Sequence, residues 1–116
     1  MSKRILVVDD EAVILNAINR ALSKVGYDIT AVRDGGSCME ALSMGDYGLI
    51  IMDLHLPGSS TDELAAHALA RCPDIKFLYI SGGYGRKDSV PFIQKPFRIN
   101  DIRDIVRTII GEPERN

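Results

Sequence analysis

The sequence contains no tryptophan and only two cysteines in 116 residues. Cys38 and Cys72 lie far apart with no Cys-x-x-Cys pair, and His55 and His67 have no partners at metal-ligand spacing. The chain therefore offers neither a disulfide framework nor a zinc-type ligand set, which points to a reduced, cytoplasmic setting. An excess of basic charge is also missing. Fourteen Lys and Arg against sixteen Asp and Glu give a net charge of −2, with no long-range attraction to nucleic acid or to an acidic membrane surface. No apolar run approaches the ~20 residues of a membrane span. Met1-Ser2-Lys3-Arg4 leads straight into a strand pattern rather than a signal peptide. Repeats and low-complexity segments are absent. What remains, 46% hydrophobic and 26% charged, is the composition of one globular domain large enough to build a core without staples.

The residues that are present alternate between two periodicities. Ile5-Leu6-Val7-Val8 and Leu49-Ile50-Ile51-Met52 are short apolar runs that read as strands buried on both faces. Each stops at acid, the first at Asp9-Asp10-Glu11 and the second at Asp53, before the Pro57-Gly58 turn. From Val13 to Val25 the apolar residues Val13, Ile14, Ala17, Ile18, Ala21, Leu22 and Val25 predict an amphipathic helix ended by Gly26. Tyr27, Ile29 and Ala31 alternate with polar residues, predicting a half-exposed edge strand. Asp34-Gly35-Gly36 reads as a turn before a short helix over residues 37–45. Ser60 and Glu63 form a capping-box pattern for a helix whose inner face is expected to hold Leu64, Ala65, Ala68 and Leu69. Residues 75–80 predict a fourth strand ending at Ser81, and Phe92-Ile93-Gln94 a short fifth. A last helix carries Ile99, Ile102, Ile105, Val106, Ile109 and Ile110 on one side. The expected domain runs from residue 1 to residue 111, with a polar tail at 112–116.

Strands alternating with helices predict an α/β fold, a doubly wound parallel sheet with helices on both faces. In such a sheet the ends of the first, third and fourth strands share one rim, which would gather Asp9, Asp10, Asp53 and Ser81. Ligands bind at that rim in open α/β sheets. Three carboxylates brought together there repel one another unless a cation intervenes, and an all-oxygen set suits Mg²⁺. Lys95 follows the fifth strand and offers an ammonium to a phosphate, and the Ser81 hydroxyl can donate to a phosphoryl oxygen. A carboxylate can act as a nucleophile and yield an acyl phosphate. Phosphorylation of Asp53 is therefore the predicted chemistry.

Four stretches, Val7-Val8-Asp9-Asp10-Glu11, Ile51 to Gly58, Tyr79-Ile80-Ser81-Gly82 and Gln94-Lys95-Pro96-Phe97, resemble the signature blocks of the receiver domains of two-component response regulators, in the same order. The resemblance covers nearly the whole chain. It implies a flavodoxin-like sheet of five parallel strands in the order 2-1-3-4-5. It implies Asp53 as phosphoacceptor, Asp10 as a direct Mg²⁺ ligand, Asp9 acting through a bound water, and the backbone carbonyl of His55 completing the protein's share of the metal shell. Ser81 matches the switch hydroxyl and Lys95 the motif lysine, and the Lys95-Pro96 bond is expected to be cis. The phosphoryl donor would be a histidine kinase or a histidine phosphotransfer protein. The domain would catalyse its own phosphorylation and hydrolysis, without turning over a separate substrate.

Two departures from the family pattern stand out. Thr61 occupies a position where the family carries glycine. Residues 82–90 are nine positions with three glycines and no apolar stripe, whereas a parallel crossover with its helix needs about a dozen residues. The fourth helix is thus expected to be absent or reduced to a loop. Tyr79-Ile80-Ser81-Gly82-Gly83-Tyr84 is similar to a receiver subgroup marked by Phe-Ala-Thr-Gly-x-Tyr, in which that helix is shortened. Phe92 matches the aromatic switch position, with Tyr84 as a second aromatic nearby. Output is expected through partner binding or phosphoryl relay, from a stand-alone receiver. Two other readings compete. An aspartate-nucleophile phosphatase would need a second acid two residues after Asp53, where His55 stands, and a phosphorylation-independent pseudo-receiver would have no need of an intact Asp9, Asp10, Asp53, Ser81 and Lys95.

Overall fold

The strands form where the apolar runs predict them. A computed structural model describes residues 2–83 and 90–114, and its elements are β1 (Ile5–Val8), α1 (Ala12–Lys24), β2 (Ile29–Val32), α2 (Gly35–Met44), β3 (Leu49–Asp53), α3 (Thr61–Arg71), β4 (Lys76–Ser81), β5 (Phe92–Gln94) and α4 (Ile99–Ile110). All strand pairs are parallel and the sheet order is β2-β1-β3-β4-β5, as the resemblance implied. Residues 82–91 join β4 to β5, and no helix forms among the described residues of that connection. The described ends of the connection agree with the expected reduction of the fourth helix, and residues 84–89 lie outside the described residues.

Side chains alternate across the sheet and build two apolar layers. Ile5, Val7, Ile51, Leu78 and Ile80 pack with Ile18 and Leu22 of α1 and with Ile102 and Val106 of α4. On the opposite face Leu6, Val8, Ile50, Met52 and Tyr79 pack with Cys38 and Leu42 of α2 and with Leu64 and Ala68 of α3. Each fully buried Leu or Ile adds about 1.5–3 kcal/mol relative to exposure, so the central strands anchor the molecule. β2 has four half-buried residues and lies at the edge, matching its alternating sequence.

The helices differ from the sequence reading in register. In α1 the inward residues are Leu15, Ile18, Ala21 and Leu22, while Val13 is 81% exposed and Ala17 is exposed too. A stripe anchored on Leu15 and Ile18 leaves Val13 on the outer side at 100° per residue. Leu69 of α3 is likewise 47% exposed. Helix α2 starts two residues before the expected position, because Asp34 is an N-cap: its Oδ1 accepts the Ser37 N–H at 2.7 Å. Gly35 therefore belongs to the helix. A Cβ there would sit 2.2 Å from Ser59 Oγ, so only glycine lets this first turn approach the loop before α3.

The ends of the other helices are tied by polar contacts. Ser60 Oγ accepts the Glu63 N–H at 3.2 Å, as its cap pattern predicts. Arg71 closes α2 by donating to the carbonyls of Leu42 and Ser43 at 3.2 and 3.1 Å, satisfying acceptors that the helix itself leaves open. Arg103 donates to the Ala21 carbonyl at 2.9 Å and so pins α4 to α1. Arg107 pairs with Asp104 at 3.6 Å on the solvent face.

Candidate functional site

Strand register assembles the site. Val8 pairs with Met52, so Asp9 and Asp53 leave adjacent strands at the same level. Asp53 pairs with Ile80 and Ser81 with Gln94, which brings Ser81 and Lys95 to that same rim. The Lys95 N–H also donates to the Ser81 carbonyl at 2.8 Å. The peptide between Lys95 and Pro96 is cis.

Asp53 is 3% exposed. Its Oδ1 accepts the His55 N–H at 2.9 Å and its Oδ2 the Lys95 ammonium at 3.1 Å. The first bond folds the chain back after β3 and fixes the carboxylate plane, while His55 itself is exposed. Asp9 is fully buried. Its Oδ1 accepts the Glu11 N–H at 2.8 Å. Lys95 Nζ lies 3.2 Å from its Oδ2, an ion-pair contact too oblique for a hydrogen bond. Oδ2 is thus a buried oxygen with no hydrogen-bond donor among the described residues. Burial pushes the Asp9 carboxyl above the ordinary carboxylate value and the Asp53 charge adds to the rise, against the Glu11 N–H and Lys95, which oppose it. Burial pulls the Lys95 ammonium down, but its hydrogen bonds to Glu11 and Asp53 and its ion pair with Asp9 outweigh that and hold it above its ordinary value.

Carboxylate oxygens of Asp9, Asp10, Glu11 and Asp53 all lie within 4.8 Å of one another. Four carboxylates thus gather beside the Lys95 ammonium, and Asp9 Oδ2 has no hydrogen-bond donor among the described residues. A hard oxygen-seeking cation fits that donor set, and Mg²⁺ fits it well. Ser81 is fully buried at the end of β4, its Oγ accepting the Gly83 N–H at 3.0 Å. Phe92 is half-buried against the layer that contains Tyr79. Tyr84, expected beside it, lies outside the described residues. The sequence reading missed one participant: Glu11, whose carboxylate accepts the Lys95 ammonium at 2.7 Å. Its place directly after the two aspartates was the available signal.

A doubly wound sheet with clustered acids and a lysine at its carboxyl rim belongs to the class of α/β proteins whose ligand site lies at that rim. The response regulator receiver domain family matches residues 5–107, and the chain belongs to that family. It is a receiver domain of two-component signalling. Among its relatives, the response regulator receiver protein CpdR of Brucella abortus is 30% identical, the match covering 94% of this chain and 98% of that protein. The DNA-binding transcriptional regulator NtrC of Rhizobium meliloti is 27% identical over 96% of this chain. This chain spans about a quarter of NtrC, the match covering 25% of that protein. Among solved structures, the response regulator protein TrrA of Thermotoga maritima, in complex with Mg²⁺ and BeF, superimposes with a TM-score of 0.80. It shares 26% identity, with 93% of this chain and 99% of that one covered. No helix among the described residues is long and apolar enough to cross a membrane.

Proposed function

We propose that the chain accepts a phosphoryl group on Asp53 from a histidine kinase or a histidine phosphotransfer protein, with Mg²⁺ held by Asp9, Asp10, Asp53 and the backbone carbonyl of His55. The observation that carries this role is the ammonium of Lys95 at 3.1 Å from Asp53 and 3.2 Å from Asp9, inside a cluster of four carboxylates. When bound, the cation would offset charge on the transferring phosphoryl oxygens. The chain's own groups do the rest. The His55 N–H orients the Asp53 carboxylate. A carboxylate oxygen forms the new bond to phosphorus as the donor's phosphorus–nitrogen bond breaks, giving an acyl phosphate. Lys95 supplies N–H bonds to the incoming oxygens. Ser81, at the end of β4, would offer its hydroxyl to hold the product, and Phe92 on the adjacent strand is the neighbour that would register its movement. Domain limits of 1–111, with 112–116 as a tail, complete the assignment. The short connection between β4 and β5 supports membership of the subgroup with a reduced fourth helix.

Incubation with acetyl phosphate and Mg²⁺, followed by intact mass, tests the assignment. The wild type is expected to gain one phosphoryl adduct and Asp53→Asn none. An adduct at full level in the variant overturns the role of Asp53.

A further inference from the structure

We propose that Glu11 is a positioning residue that holds Lys95 away from the transferring phosphoryl group and so slows phosphorylation of the site. The proposal rests on Asp53 being the acceptor. Three carboxylate oxygens crowd Lys95 Nζ: Glu11 Oε1 at 2.7 Å, Asp53 Oδ2 at 3.1 Å and Asp9 Oδ2 at 3.2 Å. Glu11 makes the shortest of these contacts. A phosphoryl oxygen that binds Lys95 draws the ammonium toward itself and so pulls it away from this set.

The three are unequal in what they lose. The side chains of Asp9 and Asp53 are 0% and 5% exposed, so losing the ammonium would strand a charge in apolar surroundings. The Glu11 side chain is 58% exposed, and water replaces Lys95 there at small cost. Glu11 is therefore the partner that lets go. Its backbone stays in place, because its N–H is bound to Asp9 Oδ1 at 2.8 Å, and only the carboxylate needs to swing. The Glu11–Lys95 bond then exists in the resting state and is lost in the transition state. An interaction of that kind lowers the ground state alone and raises the barrier.

In the step itself an Asp53 oxygen bonds to phosphorus while the bond from phosphorus to the donor's leaving atom breaks, and the leaving group departs with the electron pair. Lys95 keeps all its protons. One N–H turns from Glu11 Oε1 to a phosphoryl oxygen.

Two variants separate this from simple charge repulsion. Glu11→Asp keeps the charge but is one methylene too short to reach Lys95, and Glu11→Gln removes the charge. With Mg²⁺ in excess, phosphorylation by acetyl phosphate is expected to be faster in both by about two- to five-fold, the range of an exposed ion pair. Phosphoramidate, a less anionic donor, is expected to give the same factors. In metal-free protein, exchange of the Lys95 ammonium protons with water, followed by NMR, is expected to quicken in both. Unchanged or slower phosphorylation in the variants, with a normally phosphorylated wild type, overturns the role of Glu11 and leaves Asp53 as acceptor. A gain in Glu11→Gln alone, larger for the more anionic donor, also overturns it in favour of charge repulsion. Absence of an adduct on wild-type Asp53 removes the acceptor assignment and the proposal together.

Discussion

The Tyr27 hydroxyl donates to the carbonyl oxygen of Gly111 at 2.5 Å, joining the entrance of β2 to the residue that ends α4. Tyr27 is only 6% exposed. Gly111 has φ +81°, a left-handed conformation that other residues adopt only with strain. Beyond it, the Glu112 carbonyl accepts Lys3 Nζ at 2.7 Å and the Glu112 carboxylate pairs with Arg107 at 3.0 Å. The end of α4 is thereby fastened at the face opposite the acidic site.

Replacing Tyr27 by Phe should cost about 1 kcal/mol, the net worth of one such hydrogen bond, and speed amide exchange at residues 111–114. Burial first, and the Glu112 charge second, push the phenol above its ordinary value of 10.0. A folded-state value above the unfolded one means that the neutral hydroxyl's contribution is complete below about pH 10 and is lost as pH rises through the folded-state value. The difference in unfolding free energy between wild type and Tyr27→Phe should thus be flat at neutral pH and close in alkali. A difference that persists unchanged above pH 10 would contradict this account.

Both thiols should resist alkylation in the native protein. Cys38 is fully buried and burial pushes its thiol to about 11. Burial also raises Cys72, which is 3% exposed. The thiolate is the reactive form, so iodoacetamide at neutral pH is expected to label neither residue until denaturant unfolds the domain. Labelling that runs ahead of global unfolding would show local opening around α2 or α3.

The cap of α3 gives a simple stability test. Ser60→Ala removes the acceptor for the Glu63 N–H and should lower stability by about 1 kcal/mol in urea unfolding. Ser60→Asp should keep the cap and add favourable charge at the helix start. Equal stability of wild type and Ser60→Ala would mean that the bond adds nothing in water.

The sheet and the acid cluster were legible because both depend on local pattern. Buried parallel strands leave continuous apolar runs, and Asp9 and Asp53 are conspicuous as the residues where two runs stop. Helix faces were harder to read. Val13 fits an apolar stripe as well as Leu15 does in a list of positions, and only packing against Ile5 and Val7 decides which points inward. Asp34 before two glycines has the chemistry of a turn and equally of an N-cap, and the bond from the Ser37 N–H to its Oδ1 settles the matter. The bonds of Lys95 to Glu11 and of Tyr27 to Gly111 link residues 84 positions apart. They depend on the order of the strands and on side-chain reach, which no single stretch of sequence encodes.

Lys95 and a bound cation should compete for the same carboxylates. Lys95→Met leaves Asp9 and Asp53 buried without their shared ammonium, and metal-free protein should lose about 3 kcal/mol, as when one partner of a buried pair is removed. The same change strips a positive charge from the cluster, so the variant should bind Mg²⁺ more tightly than wild type. Asp10→Asn removes one of the four clustered carboxylates and should bind it less tightly. A ligand that binds only the folded state raises the unfolding temperature, and at a given concentration the tighter binder raises it more, as the logarithm of concentration over Kd. Thermal unfolding across a Mg²⁺ titration should therefore move the two variants to opposite sides of wild type, with the larger gain in Lys95→Met. Equal gains in all three proteins would place the cation away from this cluster.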